Sequence, residues 1–224
     1  HSDLRRQRQM CIRDRAREVM AQVPDDENEI RRSIGISEID KVANTYQESI
    51  QYPSLNVRGL KSGWVEKEVR TIIPSFALAE IDVRLVKETD PNRLIGLIKE
   101  HIQNQGYYIT KKDPIDEERM KYGKLIRFKS KISYTAFRTP IDSPIGDWLS
   151  SAIRNGFEME PIIKRTSGGS VPISPFVNTL GVPAVTVPTV NPDNNQHSPN
   201  ENIRVGNLIE SVRTHLAILA QPYK

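Results

Sequence analysis

The residues best suited to chemistry cluster late in the chain. Gly168-Gly169-Ser170-Val171-Pro172-Ile173 is followed by His197-Ser198-Pro199-Asn200-Glu201. The apolar segment Val182-Pro183-Ala184-Val185-Thr186-Val187-Pro188 lies between them, and a polar stretch from Asn191 to Gln196 leads to the histidine. Paired glycines permit a tight turn and a close approach of backbone to a ligand. A neutral imidazole on a polar loop can ligate a metal. One imidazole is not a catalytic metal site, because catalytic zinc takes three protein ligands and keeps an open position. The sequence supplies one good ligand and no visible set of partners. His101 and His215 lie on helical segments and read as surface residues, and His1-Ser2-Asp3 has no apolar strand before it to place it.

The elements that must position these residues are legible from periodicity. Ser54-Leu55-Asn56-Val57-Arg58 predicts a short strand ending at Gly59. Ala77, Ala79, Ile81, Val83 and Leu85 alternate with Glu80, Asp82 and Arg84, the period of a half-buried strand. Asp90-Pro91 predicts a helix start, Leu94, Leu97, Ile98 and Ile102 continue it, and Gly106 closes it. Tyr107 to Thr110 and the alternation from Ile126 to Tyr134 predict two more strands. Residues 52–135 thus read as an α+β unit with helices on one face of an antiparallel sheet. Before it, residues 16–51 read as a helical or irregular lead-in, with helices over Ala16 to Val23 and Ile36 to Tyr46 broken at Pro24-Asp25-Asp26. After it, residues 136–224 predict a helix from Pro144 to Gly156 and a central strand from Val182 to Val187. An amphipathic helix bearing Val205, Leu208, Ile209, Val212 and Leu216 follows. Trp64 and Trp148 read as packing or interface residues.

Composition narrows the function. The chain has 224 residues and a net charge of +4, and its apolar runs are too short to span a bilayer. The first fifteen residues hold five arginines against two aspartates, so most of that charge sits there. No basic stripe with interleaved aromatics remains, which argues against a nucleic-acid partner. Met10-Cys11-Ile12-Arg13-Asp14 resembles the translation of a transposon-end sequencing adapter, so residues 1–15 are set aside from fold reasoning. The single cysteine, Cys11, lies in that segment. The rest has no disulfide, no thiolate nucleophile and no cysteine-based metal site.

The Gly168 to Ile173 turn and the His197 to Glu201 motif together resemble the closing motifs of the dinuclear zinc peptidases. That family includes aminoacylase, carnosinase-type dipeptidases, acetylornithine and succinyl-diaminopimelate deacylases and carboxypeptidase G. Thr71-Ile72-Ile73-Pro74, the strand ending Ile81-Asp82-Val83-Arg84, and Asn56-Val57-Arg58-Gly59-Leu60 resemble the lid-domain strands of its dipeptidase branch. The resemblance covers roughly residues 50 to 220. It implies a ferredoxin-like α+β lid that mediates homodimerisation, joined to the C-terminal part of an α/β catalytic domain holding two zinc ions per subunit. It further implies hydrolysis of a dipeptide or N-acyl amino acid bearing a free carboxylate.

Carried over by residue, the resemblance makes His197 a zinc ligand and Glu201 a partner in the same loop. Arg84 becomes the grip on the substrate carboxylate, Thr71 a hydroxyl near the substrate, and Gly169 and Ser170 the turn at its C-terminal end. A guanidinium suits a carboxylate because it offers a planar bidentate fork. The family's His-x-Asp, bridging aspartate, Glu-Glu pair, general base and lid histidine have no counterpart in this sequence, and Thr166-Ser167 replaces an Arg-Glu found in close dipeptidases. The chain therefore reads as an inactive C-terminal part of such an enzyme, expected to expose apolar surface. A non-catalytic dimerisation or regulatory module is the rival reading. Arg84 also admits a plain reading as a polar residue on the solvent face of a sheet.

Overall fold

The computed structural model describes residues 14–223, so the readings on His1-Ser2-Asp3 and Cys11 lie outside the described residues. In chain order the helices are α1 (Asp14–Ala21), α2 (Glu27–Ile34), α3 (Tyr46–Ser49), α4 (Pro91–Asn104), α5 (Asp116–Lys121), α6 (Pro144–Phe157), α7 (Ser174–Leu180) and α8 (Val205–Ala220). The strands are β1 (Ser54–Ser62), β2 (Ala77–Arg84), β3 (Tyr108–Thr110) and β4 (Leu125–Arg127). This mixture of helix and sheet falls into two compact units. One comprises residues 49–137 and 168–175; the other comprises 14–48, 138–167 and 176–223.

The first unit is organised by an antiparallel ladder that places Ser54 opposite Arg84 and Ser62 opposite Ala77. Leu55 and Val57 lie opposite Val83 and Ile81 on the apolar face of the pair. Strict alternation would then turn Leu60 onto the polar face. A bulge between Val57 and Gly59 inserts one residue and brings Leu60 opposite Ala79 instead. That is why β1 continues to Ser62 rather than ending at Gly59. On the polar face the Arg58 guanidinium meets Glu80 at 3.1 Å.

The start of α4 follows the sequence. Asp90 accepts hydrogen bonds from the Asn92 and Arg93 amides at 2.8 and 3.3 Å, and Pro91 opens the helix. Gly106 adopts φ 83° just past its end, and α4 packs against β3. The expected antiparallel arrangement does not extend to β3 and β4, which pair in parallel. Residues 111–124 carry α5 and are long enough for the crossover that parallel pairing requires. β4 also stops well short of Tyr134. The Phe128 amide donates to the Thr110 carbonyl at 3.1 Å, and β3 ends at Thr110, leaving no rung beyond.

In the second unit, Ala16, Met20 and Val23 are buried at helical spacing along and just past α1. The helix expected over Ile36 to Tyr46 lies earlier, at Glu27–Ile34. Asp26 caps it through the Asn28 and Glu29 amides at 2.8 and 3.1 Å, and Gly35 at φ 75° ends it. Residues 36–45 are rich in β-branched, Ser, Asp and Asn residues whose side chains compete with helical bonding. They are held instead by Glu27, which pairs with Lys41 at 2.6 Å and accepts from the Tyr46 amide at 3.0 Å.

The expected central strand at Val182 to Val187 does not form. Pro183 and Pro188 remove two ladder donors, and Val182 and Val185 are exposed. What the segment does find is Thr139. Its hydroxyl accepts from the Ala184 amide at 3.1 Å and donates to the Ala184 carbonyl at 2.6 Å. The apolar stripe of α8 is likewise exposed from Val205 to Leu216. It is the small-residue side of α8 that packs on α6, where a Cβ added to Gly156 would lie 2.6 Å from the Cβ of Ala217. The seam is extended by Trp148, whose Nε1 donates to the Gln221 carbonyl at 2.9 Å and whose ring meets Tyr223 edge-on at 5.5 Å.

Two glycine substitutions test this seam. Gly156→Ala should lower stability by about 1–2 kcal/mol, because overpacking outweighs the gain in helix propensity. Gly96→Ala, in α4 with open space around its Cβ, should raise it by about 0.5–1 kcal/mol. Equal stability of the two variants in urea unfolding would refute the tight α6–α8 contact.

Candidate functional site

Arg84 is the last residue of β2, and its side chain is set by two acceptors. Its Nε donates to the Asp82 carboxylate at 2.7 Å, and its Nη1 donates to the Ser170 hydroxyl at 2.5 Å. Asp82 and Arg84 share a face because side chains repeat every second residue along a strand. Ser170 comes from a part of the same unit 86 residues further along. The structure therefore brings together two residues that the sequence singles out separately. Asp82 is a third member that the sequence reading does not single out; its signal is the two-residue spacing to Arg84.

The glycine turn before Ser170 is solvent-exposed. Gly168 and Gly169 are exposed, and no described residue lies within 4 Å of a Cβ built on Gly168. Packing against the described residues therefore sets no need for glycine at 168. Thr71 lies on the long connection between β1 and β2, exposed, beside Arg70, whose guanidinium sits 5.0 Å above the Trp64 ring. No hydrogen bond joins Thr71 to Arg84 or Ser170 among the described residues.

In the second unit, His197 stands on a sharply folded loop at φ 63°, with Asn195 at 54° and Asn200 at 63°. These left-handed conformations are held by a polar frame. Asn191 is only 1% exposed; its Oδ1 accepts from the Arg204 amide at 3.0 Å and its Nδ2 donates to Asp193 at 2.8 Å. The Arg204 guanidinium closes the frame on Asp193 at 2.5 Å. Inside it, the Asn202 amide donates to the Asn194 carbonyl at 2.9 Å, and Asn194 Oδ1 accepts from the Gln196 amide at 3.2 Å. Asn191, Asp193 and Arg204 are the loop's structural residues. Sequence reasoning misses them because 13 positions separate Asn191 from Arg204.

The His197 imidazole and the Glu201 carboxylate are both exposed, and no hydrogen bond joins them among the described residues. Nor, among the described residues, is any group of three or more His, Cys, Asp or Glu side chains arranged to hold a metal ion. The described residues thus do not themselves form a metal cage.

The loop frame has a pH dependence with a definite sign. The Asn191 amide, helped by Arg204, holds the Asp193 carboxyl below its ordinary value. A lowered native pKa stabilises the loop above the unfolded value near 4 and is lost as pH falls through the native one. Exchange of the Arg204 amide should accelerate below about pH 4 in the native chain, with a smaller pH response in Asp193→Asn. Asn191→Ala should accelerate it at neutral pH, at a cost of about 1–3 kcal/mol for the unpaired buried amide. Unchanged Arg204 protection in Asn191→Ala would refute the frame.

Comparison with known proteins connects these features. The M20 peptidase dimerisation domain model matches residues 14–109. The Cys-Gly metallodipeptidase DUG1 of Saccharomyces cerevisiae is 23% identical over 192 residues, covering 80% of this chain and 35% of that protein. The human Beta-Ala-His dipeptidase is 25% identical over 176 residues, covering 76% and 32%. Among solved structures, the M20 metallo-carboxypeptidase Sso-CP2 of Sulfolobus solfataricus superposes with a TM-score of 0.69 at 24% identity, covering 93% of this chain and 45% of that one. Dug1p of Saccharomyces cerevisiae gives 0.69 at 20% identity, covering 93% and 42%. The chain spans about a third of the length of the curated relatives it matches. No helix among the described residues is long and apolar enough to cross a membrane. Residues 14–109 thus match the M20 peptidase dimerisation domain, and the chain is similar to part of two dipeptidases and shares the fold of part of the M20 metallopeptidase structures.

Proposed function

We propose that this chain is part of a metallopeptidase that cleaves the amide bond of a dipeptide or N-acyl amino acid with a free carboxylate. The carrying observation is the Arg84–Ser170 contact. It joins a fixed cation to a hydroxyl beside an exposed glycine turn, and the relatives are dipeptidases. Arg84 binds the substrate carboxylate through its guanidinium. Ser170 accepts from Arg84 and keeps its own O–H to donate to a carboxylate oxygen. Gly169 leaves the backbone beside it approachable, and Thr71 offers a further hydroxyl on the connection before β2.

His197 contributes one ligand to a zinc centre of two ions, and Glu201 serves the same loop. The other ligands come from outside the described residues, and no hydrolytic step is assigned to the described residues. The lid at residues 52–135 carries homodimerisation, and residues 136–224 form part of the catalytic domain. A purely regulatory module is not favoured, since the named relatives are dipeptidases.

The test uses the protein expressed from the complete reading frame. Arg84→Ala should lower kcat/KM for free-carboxylate substrates by about 10–100-fold, the worth of a charge-assisted hydrogen bond. Carboxyl-amidated substrates should lose far less, and equal loss on both would refute the grip. His197→Asn should lower the bound zinc measured by elemental analysis, and full retention of zinc would remove His197 from the metal centre.

A further inference from the structure

We propose that Asp82 is a built-in counter-charge that makes the Arg84 site selective for ligands with a single carboxylate. The inference rests on the reading of Arg84 as a carboxylate grip.

The guanidinium carries five N–H donors in a rigid fork. Asp82 occupies Nε at 2.7 Å and Ser170 occupies Nη1 at 2.5 Å, so Nη2 is the nitrogen with no acceptor among the described residues. An arriving carboxylate therefore finds Nη2 and the Ser170 hydroxyl as its donors. It also meets a locally neutral pair rather than a bare cation. The neighbouring charges on this polar face are matched in the same way, because Arg58 holds Glu80 at 3.1 Å. Asn56, opposite Asp82 in the ladder, brings no charge and donates to the Ser54 hydroxyl at 3.1 Å. No second cation from these elements compensates Asp82.

One carboxylate bound at Nη2 gives the neutral Asp82–Arg84 pair a single net negative charge. A ligand with two carboxylates adds a second charge, which Asp82 repels. The side chains of Asp82 and Arg84 are 39% and 49% exposed, so water and salt weaken the repulsion without removing it. The favoured substrates are peptides or acyl amino acids whose terminal residue has a neutral or basic side chain.

The test titrates the full chain with N-acetylglycine and N-acetylaspartate while following the Arg84 Nε–Hε resonance by NMR. Asp82→Asn keeps an acceptor for Nε and removes the charge. It should tighten N-acetylglycine about 3-fold and N-acetylaspartate about 10-fold, from a surface pair interaction that scales with ligand charge. The ratio of the two affinities should thus shift about 3-fold toward the dianion, and general loosening of the strand would not move that ratio. An unchanged ratio in Asp82→Asn, with both ligands lost in Arg84→Gln, overturns the role of Asp82 and leaves the grip standing. Undiminished binding of both ligands to Arg84→Gln overturns the grip, and the selectivity with it.

Discussion

Pairing between β1 and β2 is the constraint on which the placement of Arg84 depends. Hydrogen bonds along this ladder fix which side chains share a face, and the bulge at Val57/Gly59 keeps that assignment consistent along the whole hairpin. Leu55, Val57 and Leu60 go to one side, while Asp82 and Arg84 go to the other. Shifting the pairing by one residue would exchange the faces and carry Arg84 away from Ser170. Backbone pairing has to carry this burden. Among the described residues, the buried apolar side chains are Ala16, Met20, Val23 and Ala152, none of which belongs to the hairpin's unit.

The histidine loop solves a related problem by different means. Neither strand nor helix contains it, so its shape comes from side chains bonding to backbone. Asn191 is the centre of that network, satisfied on both sides of its amide group and almost fully removed from water. A buried amide is costly when unpaired and stabilising when both ends are used. Arg204 contributes twice, through its backbone amide and through its guanidinium.

Sequence legibility divided along physical lines. Local signals were readable: the Asp90-Pro91 helix start and the alternation of β2. What escaped was non-local. The bulge depends on matching Leu60 to a partner strand, and the bond between Arg84 and Ser170 spans distant parts of the chain. The Val182 to Val187 run shows how composition alone misleads. Its residues are mostly strand formers, yet Pro183 within it and Pro188 just after it cannot donate, and one threonine side chain takes the place of a ladder. The apolar periodicity of α8 was real, but it faces outward, because the helix meets α6 through Ala217 and Gly156.

The left-handed backbone at His197 carries a lesson for probing that position. Replacing the imidazole by a β-branched residue would alter side-chain chemistry and backbone strain together, since such side chains tolerate φ near 63° poorly. Asparagine visits the same region with little penalty. It is therefore the substitution that isolates what the ring nitrogen contributes from what the loop's curvature contributes.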